Sequence, residues 1–218
     1  MRKITKRVGF EPPSLSNFKR TQPLAKYIDL EAPERNDIRI ECAKEQYFLC
    51  AYCSKQITGT NQDSMNEHVE ARRIAPNRSL DFTNIVASCT TPRQCDDSHG
   101  SQLLPLTPFM ETCETELQFK LSGRVVGLSD RAIETIRVLN LGDTLTNNRS
   151  LIEQRKQLTE SLLWANGIDP SEGLEDDELI DLVLADISTP KDGKLEAFSP
   201  VLVNILKQWI DKCCMKIM

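Results

Sequence analysis

Apolar positions recur at helical spacing through the second half of the chain and lose that regularity in the first hundred residues. Ala132, Ile133, Ile136 and Leu139 share one face of a helix that Ser129 can cap and Gly142 can end. Leu151, Ile152, Leu158, Leu162 and Leu163 form a second stripe, running from about Asn147 to a stop at Asn166-Gly167. A third helix is expected over residues 174–187. A fourth follows Ser199-Pro200, with Val201, Leu202, Ile205, Trp209 and Ile210 inward. Upstream, Ile38, Ile40, Cys42, Ala43 and Phe48 are loosely spaced for a helix over 36–49 that leads straight into Cys50. Residues 50–100 are rich in turns and hold one short β-like run, Ile85 to Ser88. Residues 1–35, rich in Pro, Lys and Arg with weak periodicity, predict an extended basic arm. The expected organisation is this arm (1–35), a compact unit (36–122) and a helical region (123–218), in an α+β, mainly helical fold.

Bulk composition narrows the class. The chain has 218 residues, 39% apolar and 27% charged, as expected of one or two globular domains. No apolar run reaches the roughly eighteen residues of a membrane span. The opening MRKITKRVGFEPP is basic but lacks the apolar stretch of a secretory signal, so a cytoplasmic location is expected. There, eight cysteines are free or metal-bound rather than paired in disulfides. A net charge of −5 argues against a generic nucleic-acid binder, but the charge is uneven. Residues 1–30 carry seven Lys/Arg against two acids, and residues 170–187 carry seven acids and no base. The basic front can face nucleic acid and the acidic rear can dock a protein; solvated faces explain both equally well.

The chemistry concentrates between residues 50 and 100. Cys50/Cys53 and Cys89/Cys95 are two short-spaced pairs able to close a tetrahedral zinc site, although TTPRQ must loop out between the second two. Zinc would supply folding energy to a stretch with a thin core, on the order of 10 kcal/mol. Scattered buried cysteines or a redox C-x-x-C pair are the alternatives, and the redox reading lacks its βαβ context. Cys42 and Cys113 read as core residues. Both histidines of the chain, His68 and His99, lie in this stretch beside acids. For phosphodiester hydrolysis, a neutral imidazole can take the proton of the attacking water. One divalent cation can clamp the phosphate and leaving oxygen, and an asparagine can orient the imidazole. His68 is the expected base and Asn84 its orienter. Glu67 with Asp96 or His99 are the expected ligands of a catalytic Mg²⁺ or Mn²⁺. Arg72, Arg73, Arg78 and Arg93 are candidates to hold backbone phosphates, or are simply solubilising.

In order and spacing, CAYC, Glu67-His68, Asn84 in TNIVASC, and CDDSHG resemble the HNH, or ββα-metal, endonuclease superfamily. EQYFLCAYC, EHVEARRIAP and IRVLNLGDTLTNNR are similar to the HNH subunits (PtuB type) of the bacterial Septu anti-phage systems, also found attached to some retrons. That likeness covers nearly the whole chain, and its motifs are specific in combination and weak singly. The resemblance implies a zinc-stapled ββα-metal core with surrounding helices and metal-dependent cleavage of nucleic acid, with DNA the expected substrate. It implies His68 as general base and Asn84 as its support. The position after the last cysteine, His or Asn in the family, is Asp96 here, and His99 falls where many relatives carry Lys, so both stand as candidate ligands. It also implies a partner, an ABC/SMC-like ATPase of the PtuA type. This chain has no P-loop of its own, and the helices after Gly123 are the expected docking region. An RNA (tRNA) cleaving variant and a non-catalytic zinc-binding adaptor are the competing readings.

Overall fold

A computed structural model describes residues 1–169 and 177–216, with only the backbone of 177 and 211–216. Two helices come first, α1 (Pro13–Thr21) and α2 (Ala32–Glu45). Strands β1 (Ser64–His68) and β2 (Ile85–Cys89) then pair antiparallel, with Ser64 opposite Cys89 and His68 opposite Ile85. A single turn of helix, α3 (Asp96–His99), follows directly. A second small hairpin, β3 (Leu117–Phe119) with β4 (Val125–Gly127), leads into α4 (Asp130–Leu139), α5 (Leu145–Ala165), α6 (Asp177–Ser188) and α7 (Ser199–Lys216). The architecture is α+β. Within the described residues no helix is long and apolar enough to cross a membrane.

The β1–β2 hairpin sits at the centre. All five residues of β2 are buried, and α2 packs against both strands. The outer edge of β2 is closed by a side chain: Gln46 Nε2 donates to the Ala87 carbonyl (2.8 Å), and the Ala87 N–H donates back to Gln46 Oε1 (2.7 Å). A glutamine thus takes the place of a third strand for one residue pair, meeting the requirement that buried backbone groups find partners. The helix that supplies it ends at Glu45. Tyr47 and Phe48 then adopt left-handed φ values of 52° and 59°, so the chain turns before Cys50 instead of running into it as a helix.

Residues 1–35 are not an extended arm. Met1, Ile4, Leu15, Phe18 and Leu30 are buried in the main core, and the Ile4 N–H donates to the Pro108 carbonyl (2.8 Å). Burial of Leu15 or Phe18 contributes roughly 1.5–3 kcal/mol each, enough to hold so short a helix in place. The basic residues are matched as well. Lys6 Nζ reaches Glu45 (2.7 Å) and the Ile85 carbonyl (2.9 Å), Arg7 bridges Glu41 and Glu45, and Lys19 pairs with Glu11. With Lys3 on Glu111, four of the seven Lys/Arg of the front are ion-paired within the fold.

The helical half follows the predicted stripes with two kinds of departure. Ser129 caps α4 through Ala132 N (3.3 Å), but the helix ends at left-handed Asn140, before Gly142. Ile133 and Leu158 face outward, while Thr135, Arg155 and Thr159 are buried. Arg155 sits inside because its guanidinium donates to the Gly123 and Leu141 carbonyls (2.7 and 3.1 Å) beside the Phe119 ring. The α5 helix is kinked at Asn148 (φ −148°, ψ 72°). Leu163, Ile168, Ile180, Val183, Ile187, Leu202 and Leu206 form a smaller core between α5, α6 and α7. The predicted start of the third helix at 174, and the acids Glu172, Glu175 and Asp176, lie outside the described residues.

Gly123 joins β3 to β4 with φ +79°, and a Cβ there would meet the Ile152 carbonyl oxygen at 2.1 Å. Gly123→Ala is expected to cost about 2 kcal/mol or more, because it combines a disfavoured φ with a backbone clash. Urea denaturation should report a lower midpoint at unchanged slope.

Candidate metal centre and acid–histidine site

The four paired cysteines converge from three pieces of chain. Cys50 and Cys53 lie on a tight knuckle in which the Cys50 N–H donates to the Lys55 carbonyl (2.8 Å) and Ser54 is left-handed. Cys89 ends β2, and Cys95, with φ 52°, opens α3. All four thiols are free and buried, and their sulfur atoms lie within 4.8 Å of one another. The Cys50–Cys95 and Cys53–Cys89 sulfur separations are both 3.8 Å. Four Zn–S bonds of ~2.3 Å in a tetrahedron require edges of ~3.8 Å. The cysteines can therefore hold a metal ion, and the spacing suits zinc.

The five-residue gap between Cys89 and Cys95 has a use. The loop folds back so that Gln94 Nε2 points at the sulfurs of Cys53 (3.8 Å), Cys89 (3.6 Å) and Cys95 (4.0 Å). The Cys89 N–H donates to Cys50 Sγ (3.3 Å). Such donors favour thiolate over thiol. The Gln94 oxygen in turn accepts from Asn148 Nδ2 (3.0 Å), whose own Oδ1 accepts from Leu151 N (3.1 Å) and caps the helix beyond the kink. Cys89 ionises first because the other thiols hydrogen-bond to it, whereas Cys53 and Cys95 are pushed up, chiefly by Cys50. Four thiolates thus need a cation among them.

The acid–histidine cluster lies at the other end of the hairpin. Glu67 is buried; its carboxylate accepts from Tyr52 Oη (3.2 Å) and from the His68 N–H (3.1 Å), and it contacts His99 Nδ1. His99 Nε2 lies 2.9 Å from the Gln102 carbonyl, which can only accept, so Nε2 carries a proton, while Nδ1 faces Glu67. Burial raises Glu67 and lowers His99. Burial, then the adjacent Glu67 carboxyl, pushes Asp96 up to about 8. Two acids side by side, one of them buried, resist ionising together unless a cation joins them. Within the described residues, the four cysteines remain the one set of three or more Cys, His, Asp or Glu whose ligand atoms all lie within 4.8 Å. Glu67, Asp96 and His99 are neighbours but not a closed cage.

His68 Nε2 lies 2.9 Å from the Ser79 carbonyl, which fixes the proton on Nε2 and leaves Nδ1 as the basic nitrogen. Burial lowers the imidazole, with Ser79 opposing and Arg72 adding to the shift, so the ring is neutral at pH 7. Its face is supported by Tyr27, edge-on at 4.7 Å between ring centroids. Asn84 does not orient this ring. Its Oδ1 accepts from the Glu70 N–H (2.8 Å) and its Nδ2 donates to the Glu70 carbonyl (3.0 Å), closing the neck of the 69–84 loop that carries Ser79. Ser79 contributes only a backbone carbonyl, and no sequence signal marks it. Tyr52, between the cysteines of CAYC, is the other contact with no signal in the sequence.

The four arginines separate. Arg72 and Arg73 are exposed beside His68 in the chain. Arg78 is shared between Glu70 (2.7 Å) and Asp81 (2.8 Å), so its charge is already matched. Arg93 lies on the loop between Cys89 and Cys95, at the sulfur end of the hairpin. Comparison of the chain with family models and with curated proteins found no match.

Freshly purified protein is expected to carry about one equivalent of zinc by elemental analysis, as a closed four-thiolate site requires. Less than half an equivalent would count against the site. Cys53→Ser should melt far lower or aggregate, since loss of the staple removes folding energy on the order of 10 kcal/mol. An unchanged melting curve would contradict this.

Proposed function

We propose that this chain is a metal-dependent endonuclease of the HNH, ββα-metal type. It hydrolyses phosphodiester bonds of nucleic acid, DNA foremost, as the effector subunit of an anti-phage defence complex with an ABC/SMC-like ATPase. One observation carries the reading. A hairpin followed by a short helix brings buried Glu67, His68 and His99 together with half-buried Asp96, and a sulfur cluster fastens the helix to the hairpin.

The chemistry follows from the proton positions. His68 Nδ1 takes a proton from water as its oxygen bonds to phosphorus; the bond from phosphorus to the leaving sugar oxygen breaks, and that oxygen is protonated from solvent. The Ser79 carbonyl holds the imidazole in the tautomer this requires and stabilises the imidazolium formed. Glu67 and Asp96 would hold the divalent cation. Magnesium and manganese suit two carboxylates completed by water and a substrate phosphate, which also explains why no closed protein cage is needed. When bound, the cation neutralises charge on the phosphate and the leaving oxygen.

Supercoiled plasmid with Mn²⁺ or Mg²⁺ tests the reading, both on the chain and on the complex that co-purifies with it. His68→Ala is expected to lower the nicking rate by about 10²–10⁴-fold. Equal nicking by both proteins leaves the zinc-bearing adaptor as the better reading. The shared carboxyl proton gives a second expectation. Asp96 must lose its proton to bind a cation, so Mn²⁺ affinity should rise about tenfold per pH unit up to about 8 and then level off. Calorimetric affinities independent of pH between 6 and 8 would remove the carboxyl pair from the site.

A further inference from the structure

Around Tyr27, whose ring packs against His68, lie three guanidinium groups that the fold leaves without a carboxylate. Arg35 and Arg39 project from α2 and Arg72 from the loop after β1. Arg35 Cζ and Arg72 Cζ stand 5.5 and 5.1 Å from the centroid of the Tyr27 ring, the ring that packs edge-on against His68 at 4.7 Å. Four other arginines, Arg7, Arg78, Arg131 and Arg137, bond to acids; what sets Arg35 and Arg39 apart from these is a guanidinium Nε that is buried without a partner. Among the described residues Arg35, Arg39 and Arg72 form no ion pair. Arg39 is only 9% exposed, yet it bonds only Asn36 Oδ1 (2.8 Å), and its Nε has no partner. Arg35 Nη2 donates to the Ile28 carbonyl (3.0 Å), and its Nε is likewise buried without a partner. Like charges collected in a half-buried place repel one another unless an anion joins them, and guanidinium forks match phosphate oxygens.

We infer that Arg35, Arg39 and Arg72, grouped on Tyr27, form a cradle for a backbone phosphodiester of the nucleic-acid substrate and hold the strand against His68. This rests on the reading of His68 as the general base. The three are positioning residues: they set where the strand lies and take no proton. Of the residues singled out in the sequence, only Arg72 belongs to the cradle. Arg35 and Arg39 are about thirty residues upstream of His68 and come to the same side of the hairpin because α2 covers it.

The test is fluorescence anisotropy with a labelled 20-base-pair DNA duplex and an RNA duplex of the same sequence, without added divalent cation, between 50 and 200 mM KCl. Arg39→Gln and Arg72→Gln are each expected to weaken binding about tenfold and to reduce the log–log salt slope by about 0.9, the signature of one lost phosphate contact. Arg72→Lys should restore much of the slope, and Arg137→Gln, on α4 and paired with Glu134, should bind as wild type. In cleavage assays the glutamine variants should raise KM more than they lower kcat. If Arg39→Gln melts lower, the exposed Arg72→Gln decides alone. Wild-type affinity and slope in Arg72→Gln, or no binding of either duplex by the wild-type protein, overturns the cradle. Arginine-dependent binding without any cleavage by the wild-type protein leaves the cradle standing and removes the nuclease reading. Cleavage with unchanged KM in the variants does the reverse. The DNA and RNA arms identify which backbone is preferred.

Discussion

Four sulfur atoms within 4.8 Å of each other, all out of water, are the constraint on which the centre of this fold depends. Thiolates so placed repel, and thiols so placed waste their best ligand chemistry; a cation resolves both difficulties. The three pieces of chain that meet there are short and turn-rich. The Cys50–Cys53 knuckle, the end of β2 and the start of α3 all lie in the main hydrophobic core, and the sulfur cluster is where they meet. Once they are joined, the direction of α3 is set, and with it the side of the hairpin to which Asp96 and His99 belong.

The hairpin then acts as a rigid strut with different chemistry at its two ends. The register that sets Cys89 opposite Ser64 sets His68 opposite Ile85, so sulfur and imidazole are separated along the same pair of strands. Between the strands, the loop over 69–84 is drawn shut by Asn84 on the backbone of Glu70, and this closure presents the Ser79 carbonyl to His68. A main-chain oxygen is a dependable orienter: it cannot rotate away, and it can only accept, so the tautomer is settled by geometry.

Much of the helical half is legible in the sequence because a 3.6-residue period survives without knowledge of neighbours. Individual positions escape the period where tertiary partners decide. Arg155 turns inward because two backbone carbonyls await it, and Ile133 faces outward while Thr135, two residues on, is buried and bonded to the Leu106 backbone. The first 35 residues were illegible as a packed segment, since Met1, Ile4, Leu15, Phe18 and Leu30 each dock singly and make no repeating stripe. The three-residue strands β3 and β4 are too short to leave a pattern. The cysteine cluster was legible because thiol type and spacing are specific together. The partners of Asn84 and His68 were not, since residue type states what a side chain can bond and not which backbone it will meet.

Gln46 occupies the hydrogen-bonding edge of β2 at Ala87, from which a sheet would otherwise grow. On that side no extended peptide can lengthen the ladder, and two copies cannot zip together edge to edge. Recognition by strand addition is closed off there, so whatever docks on that edge must do so through side chains and shape.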